Sequence, residues 1–217
     1  MVNLFVGLKV TILEALLKAL LFFELRKQKE VFKILNTYKQ FPCPYQIASK
    51  FFREKGLDPY LYGETPLWSV YRLFKILNLP KNTQVMDLGA GDFKVSVFLN
   101  QVFDFQTIGV EYNPSFCEIG RRIKTIHQLK NFFIIEGNFL KEEAQVADVG
   151  FLFGSHLSDD EIKLMIDKIK KIKKVITVSF PLCDYDCDYK VEKVFTLPFL
   201  FGFTKVYINR KSYESTT

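Results

Sequence analysis

Only two histidines occur in the 217 residues, and the four cysteines form no C-x-x-C pair, which removes the usual zinc-knuckle ligand sets. Cys183 and Cys187 stand four apart in "CDYDCDY", a stretch expected to be a polar loop between strands. No metal site is expected. No cleavable secretory signal is visible ahead of Cys43, Cys117, Cys183 and Cys187, so reduced thiols rather than two disulfides are expected. Long uncharged apolar runs are also missing. Lys9, Glu14 and Lys18 interrupt the first segment, which therefore falls short of the roughly 18 apolar residues of a spanning helix. Arginine and serine are scarce there and Glu14 is present, which argues against a mitochondrial presequence. Charge bias is small, with 30 basic residues against 24 acidic and a net charge of +6. That permits an acidic partner without requiring one.

What is present is enough for one sizeable core: 48% hydrophobic residues and 23 phenylalanines argue against disorder. In the first 35 residues, Asn3, Gly7, Thr11, Glu14 and Lys18 share a narrow face at about 100° per residue, and leucines and phenylalanines fill the wide remainder. This predicts an amphipathic helix that either packs on its own domain or a partner, or lies on a membrane surface. The prolines of "FPCPY" break the helical pattern. The expected organisation is a helical segment with linker over 1–45 and a main domain over 46–217.

Strands alternate with helices through that domain. A helix is predicted from Thr65 or Pro66 to Leu77, strand "TQVMDL", a helix from Lys94 to Val102, strand "QTIGVE" and a helix from Pro114 to His127. Strands "NFFIIEG" and "ADVGFLFG", a helix opened by a Ser158–Glu161 capping box and strand "KVITVSF" follow. The expectation is an α/β fold with a mostly parallel sheet covered on both faces. The tail departs from this alternation. "YKVEKVFTLPF" and "FTKVYINR" flank a short glycine turn and predict an antiparallel hairpin. The lysine-rich stretch 163–174 keeps isoleucines at helical spacing and reads as a solvated helix face.

Ligands bind open parallel sheets beyond the carboxyl ends of the strands. There the chain carries Asp87, Leu88, Gly89, Ala90, Gly91 and Asp92, with Glu111 ending the next strand 20 residues after Gly91. A carboxylate at that spacing suits a ribose diol. A dinucleotide would want a third glycine, where Phe93 stands, and its pyrophosphate would be repelled by Asp87 and Asp92. A nucleoside with a cationic other half tolerates both acids, and S-adenosylmethionine is such a cofactor.

These motifs resemble the class I S-adenosylmethionine-dependent methyltransferases, and within them the non-SET protein-lysine methyltransferases. Closest are the telomeric-silencing histone-lysine and ATP synthase c-subunit lysine methyltransferase families. The resemblance runs from about residue 60 to 181 through "LYGETP", "VMDLGAGD", "GVEYNP", "EGNFLKEE", "FLFGSH" and "VSFP". It implies a Rossmann-like sheet of seven strands with the last antiparallel. It also implies that Thr65 meets the methionine end of the cofactor, with Tyr62 and Glu64 shaping that loop and Asp87 and the Gly89–Gly91 backbone holding the same end. By the same resemblance Glu111 binds the ribose, Asn138 meets the adenine amino group and Phe139 flanks the ring.

The acceptor it implies is a lysine amine of a protein substrate. Tyr60, Tyr62, Phe153 and Phe180 are candidates for an aromatic acceptor channel, with no dedicated base, and His156 is a candidate proton acceptor. His127 is expected at a helix end. The absence of a [DNS]-P-P-[FY] motif at "FGSH" argues against a flipped-base substrate. A small-molecule acceptor and a non-catalytic interaction module stay open. The expected location is cytoplasmic, with residues 1–35 as a contact to a membrane.

Overall fold

The computed structural model describes residues 2–59, 61–141, 144–154 and 156–212, with side chains from Val10 onward. Two helices, α1 (Val2–Leu25) and α2 (Lys29–Thr37), replace the single amphipathic helix expected over the first segment. A turn closed by the Gln28 N–H on the Leu25 carbonyl separates them. A short 3-10 turn follows, and Pro44 then occupies the first turn of α3 (Pro44–Glu54), where a missing N–H costs nothing. The sequence pattern alone does not mark α3 as a helix.

Helix α4 (Leu67–Leu77) is stopped by Asn78 in the left-handed region. Then come β1 (Gln84–Leu88), α5 (Lys94–Phe103), β2 (Gln106–Glu111), α6 (Pro114–Ile126), β3 (Phe132–Glu136) and β4 (Ala147–Leu152). The chain closes with α7 (Asp159–Lys168), β5 (Ile172–Val178), β6 (Tyr189–Phe199) and β7 (Gly202–Lys211). Local chemistry accounts for the helix starts. Asn113 caps α6 by accepting from the Ser115 N–H, and the reciprocal Ser158–Glu161 box opens α7.

The seven strands form one sheet in the order β3-β2-β1-β4-β5-β7-β6. The first five run parallel, and β7 pairs antiparallel with β5 and β6. The α/β fold with a C-terminal antiparallel hairpin is therefore as the sequence implied. On one face, Leu21 and Leu25 of α1 and Phe74 of α4 pack with Phe151, Ile176 and Phe199. On the other, Met165 and Ile166 of α7 pack with Met86, Leu88 and Val110. A third cluster joins α2 and α3 to α5 and α6 around Phe93 and Phe132. The order of strands reverses between β1 and β4, so a crevice opens at the carboxyl ends of those two strands.

Candidate functional site

That crevice holds a cavity of about 270 Å³. Its lining contains each of the eleven residues expected to hold the cofactor: Tyr62, Glu64, Thr65, Asp87, Leu88, Gly89, Ala90, Gly91, Glu111, Asn138 and Phe139. Residues spread over 78 positions of sequence are thus brought together by four segments, the strand ends of β1, β2 and β3 and the loop before α4.

The turn after β1 needs its glycines. Gly89 and Gly91 have φ of +75° and +56°, where a side chain is strained. A Cβ at Gly91 would also stand 3.1 Å from the Tyr62 ring, which leans on this turn and on Phe116. Five amides between residues 89 and 94 are already used. Gly89 and Ala90 donate to the Val110 carbonyl, and Gly91 donates to Glu111 Oε2 at 2.8 Å. At the start of α5 the Phe93 N–H donates to the Ala90 carbonyl and the Lys94 N–H to Asp92. A pyrophosphate cradle requires such amides to point outward at the ligand. Here they are tied into the fold, so the turn does not suit a dinucleotide.

Carboxylates replace it. Asp87 is 4% exposed and accepts from the Ser96 hydroxyl at 2.6 Å. Burial pushes its carboxyl up to about 6, against the lowering effect of that hydrogen bond. Glu111 accepts from the Gly91 and Asn113 N–H groups, and burial still raises it to about 7. Both acids become better anions when a cation or hydroxyl donors approach. Asp92 requires a correction. It does not face the ligand space as a lone charge, because Lys94 Nζ lies 3.0 Å from it and 3.0 Å from Glu64. The case against a dinucleotide therefore rests on the used amides and Asp87. Lys94 and Ser96 were missed in the sequence, although a lysine two places after an acid at a helix start was a visible signal for the first.

Phe93 takes the left-handed conformation, φ 65°, that a glycine would have supplied. Its ring does not line the cavity. It is buried on the opposite side of the turn, edge-on to Phe132, over Gly109 of β2 and Gly120 of α6. A Cβ at Gly109 would come within 2.5 Å of that ring and one at Gly120 within 2.8 Å. Two glycines elsewhere thus make room for the bulk placed at the third-glycine position.

Phe153 and His156 also line the cavity, with Phe153 packed over Gly63. His156 is exposed at the cavity mouth, and desolvation by the surrounding chain holds its imidazole below the ordinary range. Phe180 does not join them: it packs in the α7-side core, edge-on to Tyr185, so the proposed aromatic wall lacks it. Tyr60 and Ser155 lie outside the described residues. The Asn138 amide oxygen accepts from the Leu140 N–H at 2.9 Å, which leaves one lone pair for an amino group. His127 ends α6, and its Nε2 lies 2.8 Å from the Thr37 hydroxyl, tying α6 to α2.

No protein-family model and no curated protein matches the chain. Solved structures do. TrmK of M. capricolum, crystallised with S-adenosyl-homocysteine, is 18% identical with a TM-score of 0.52, over 68% of this chain and 71% of its own. TrmN of Thermus thermophilus is 9% identical with a TM-score of 0.57, over 70% of this chain and 51% of its own. MtNAS, crystallised with MTA and tNA, is 13% identical with a TM-score of 0.55, over 66% of this chain. The fold is the class I methyltransferase fold. The match spans 59% of the length of MtNAS, and at these identities the likeness concerns the fold.

Proposed function

We propose that this chain is an S-adenosylmethionine-dependent methyltransferase and that its acceptor is a protein lysine amine. The observation that carries the first part is the strand-end cavity itself, where the turn amides are consumed internally and buried carboxylates await hydroxyl and ammonium groups. Glu111 would take the ribose hydroxyls, Asp87 and Thr65 the methionine end, and Asn138 and Phe139 the adenine. Bound there, S-adenosylmethionine supplies a methyl group on a positively charged sulfur.

The protein's part is placement and desolvation. Held by Glu111, Asp87, Thr65, Asn138 and Phe139, the cofactor would supply that methyl to an amine brought into line with it in neutral form, a C–N bond replacing the C–S bond and the electron pair staying with sulfur. A poorly hydrated approach disfavours the ammonium form, so the proton can leave to water before the reaction. His156, exposed at the rim of the cofactor cavity, would serve at most to relay that proton to solvent.

Calorimetric titration with S-adenosylhomocysteine, beside NADH as control, tests this reading. Micromolar binding of the former alone is expected. Binding of NADH, or of neither by a cooperatively folded protein, would defeat it. Phe93, at the third-glycine position, points away from the cavity and leaves it open to a cofactor.

We also infer a membrane-surface contact for α1. Its polar residues Glu14 and Lys18 stand at the rim of an open cavity and pair with each other, while Ile12, Leu16, Leu20 and Phe23 form an exposed stripe. The Arg26 guanidinium sits over the Phe23 ring, 4.3 Å from its centre, an arrangement suited to a headgroup boundary. No described helix is long and apolar enough to cross a membrane. Sedimentation with anionic vesicles should fall sharply when Leu16, Leu20 and Phe23 are all changed to serine, and unchanged sedimentation would remove the contact.

A further inference from the structure

A second cavity, about 980 Å³, lies beneath α1 and α2 and meets the first at a common wall made by Glu64, Thr65, Asp92 and Lys94. Resting on the methyltransferase reading, we propose that this cavity seats the acceptor: a protein segment whose target lysine lies among apolar side chains.

Three observations lead there. The common wall is where the cofactor's methionine end is expected, so a group reaching it from the second cavity arrives beside the methyl-bearing end of the cofactor. The wall itself carries two carboxylates, Glu64 and Asp92, against the single ammonium of Lys94, a local balance that favours a cation there, while Glu14, Lys18, Lys33 and Lys39 stand elsewhere on the lining. Beside it, Tyr38 lines the cavity, is 8% exposed, and has a buried hydroxyl without a hydrogen-bond partner among the described residues. A buried polar group of this kind is rarely left unsatisfied, and an amine N–H would satisfy it.

Size and lining then decide the body of the acceptor. The volume equals roughly 30 waters' share of liquid, far more than the five heavy atoms of a lysine side chain occupy. The remaining lining is mainly apolar, with Leu17 and Leu21 of α1, Phe32 of α2, Trp68 of α4 and Leu200 of the β6–β7 turn, and it also carries Glu14, Lys18, Lys33, Asn36 and Lys39. Side chains neighbouring the lysine must fill that space, and they must be apolar to do so favourably.

Trp68 is the single tryptophan of the chain, so its emission reports occupancy directly. The experiment titrates the full chain, with and without saturating S-adenosylhomocysteine, with two synthetic peptides: a lysine flanked by leucine and phenylalanine, and the same lysine flanked by serines. Transfer from labelled S-adenosylmethionine is measured in parallel. The apolar peptide should shift Trp68 emission and accept methyl at least tenfold faster than the serine peptide. Leu200→Arg, in an exposed hairpin turn, should abolish both while leaving S-adenosylhomocysteine binding unchanged. Equal methylation of the two peptides, or no Trp68 shift in protein that binds S-adenosylhomocysteine, overturns the proposal. A free alkylamine methylated faster than either peptide does so too, by assigning the cavity to small amines. If S-adenosylhomocysteine fails to bind while Trp68 still responds to the apolar peptide, the methyltransferase reading fails and the peptide site stands.

Discussion

The strand-end cavity is lined by backbone turns and carboxylates whose polar groups are hydrogen-bonded, whereas its more open neighbour beneath α1 and α2 is lined mainly by large apolar side chains from distant helices and the β6–β7 turn, with charged residues among them. The first is tight and chemically particular; the second is more than three times larger and held by packing. The difference separates two tasks. A cofactor common to many reactions needs a fixed hydrogen-bond pattern, while an acceptor needs volume and a polarity match at one end.

The sharpest way to break this contrast is to disturb the tight cavity from behind. Phe93→Ala removes a fully buried ring from between Gly109 and Gly120 and should cost about 3–5 kcal/mol of stability, measured by urea unfolding. Affinity of the remaining folded protein for S-adenosylhomocysteine should stay within about threefold, because the ring is outside the lining. Loss of binding at full stability would place the ring in the site after all. Glu111→Ala comes next. It should leave a folded protein and weaken S-adenosylhomocysteine binding by about 1–3 kcal/mol through lost charge-assisted hydrogen bonds. An unchanged affinity by calorimetry would remove Glu111 from the ribose position.

pH offers a smaller perturbation of the same group. With Glu111 raised to about 7, its ionised fraction falls about tenfold between pH 8 and pH 6. If only the carboxylate accepts the ribose hydroxyls, affinity should fall about tenfold over that range, and the Glu111→Gln protein should lose the dependence. The unliganded fold responds in the opposite sense. A raised carboxyl holds its proton more tightly when folded than when unfolded, so its stabilising contribution is complete below about 4.5 and is lost as pH rises through about 7. A flat binding profile in the wild type would show that Glu111 ionisation is not linked to the ligand.

The tight cavity was legible in the sequence because local rules made it. Gly89 and Gly91 announce a turn, strand ends carry Asp87 and Glu111, and the order of elements places those ends together. Ser158 and Glu161 marked a helix start for the same reason. What escaped was set by packing at a distance. Nothing near residue 93 says that Gly109 and Gly120 would receive its ring, so the place of Phe93 could not be read from its neighbours. The periodicity of the first segment located a polar face at Glu14 and Lys18 but could not say that this face would turn toward a cavity and leave apolar residues outside. Phe180 stands near the end of β5, yet its ring turned into the α7-side core with Tyr185.

The smallest expected effect tests whether the second cavity is loosely packed. Leu17 is 5% exposed and forms part of the cavity wall on α1. A buried Leu→Ala change usually costs about 2–5 kcal/mol because the removed methyl groups touched neighbours on every side. Leu17 borders open volume on one side and has fewer neighbours to give up, so Leu17→Ala should cost only about 1 kcal/mol. Its unfolding slope with urea should match the wild type, which would mark a pure stability change. Leu99, on α5 and fully buried against the sheet, supplies the reference and should show the full cost when changed to alanine. Equal losses at the two positions would mean that α1 is packed as densely as the sheet, and that the space beneath it is too small to seat an acceptor.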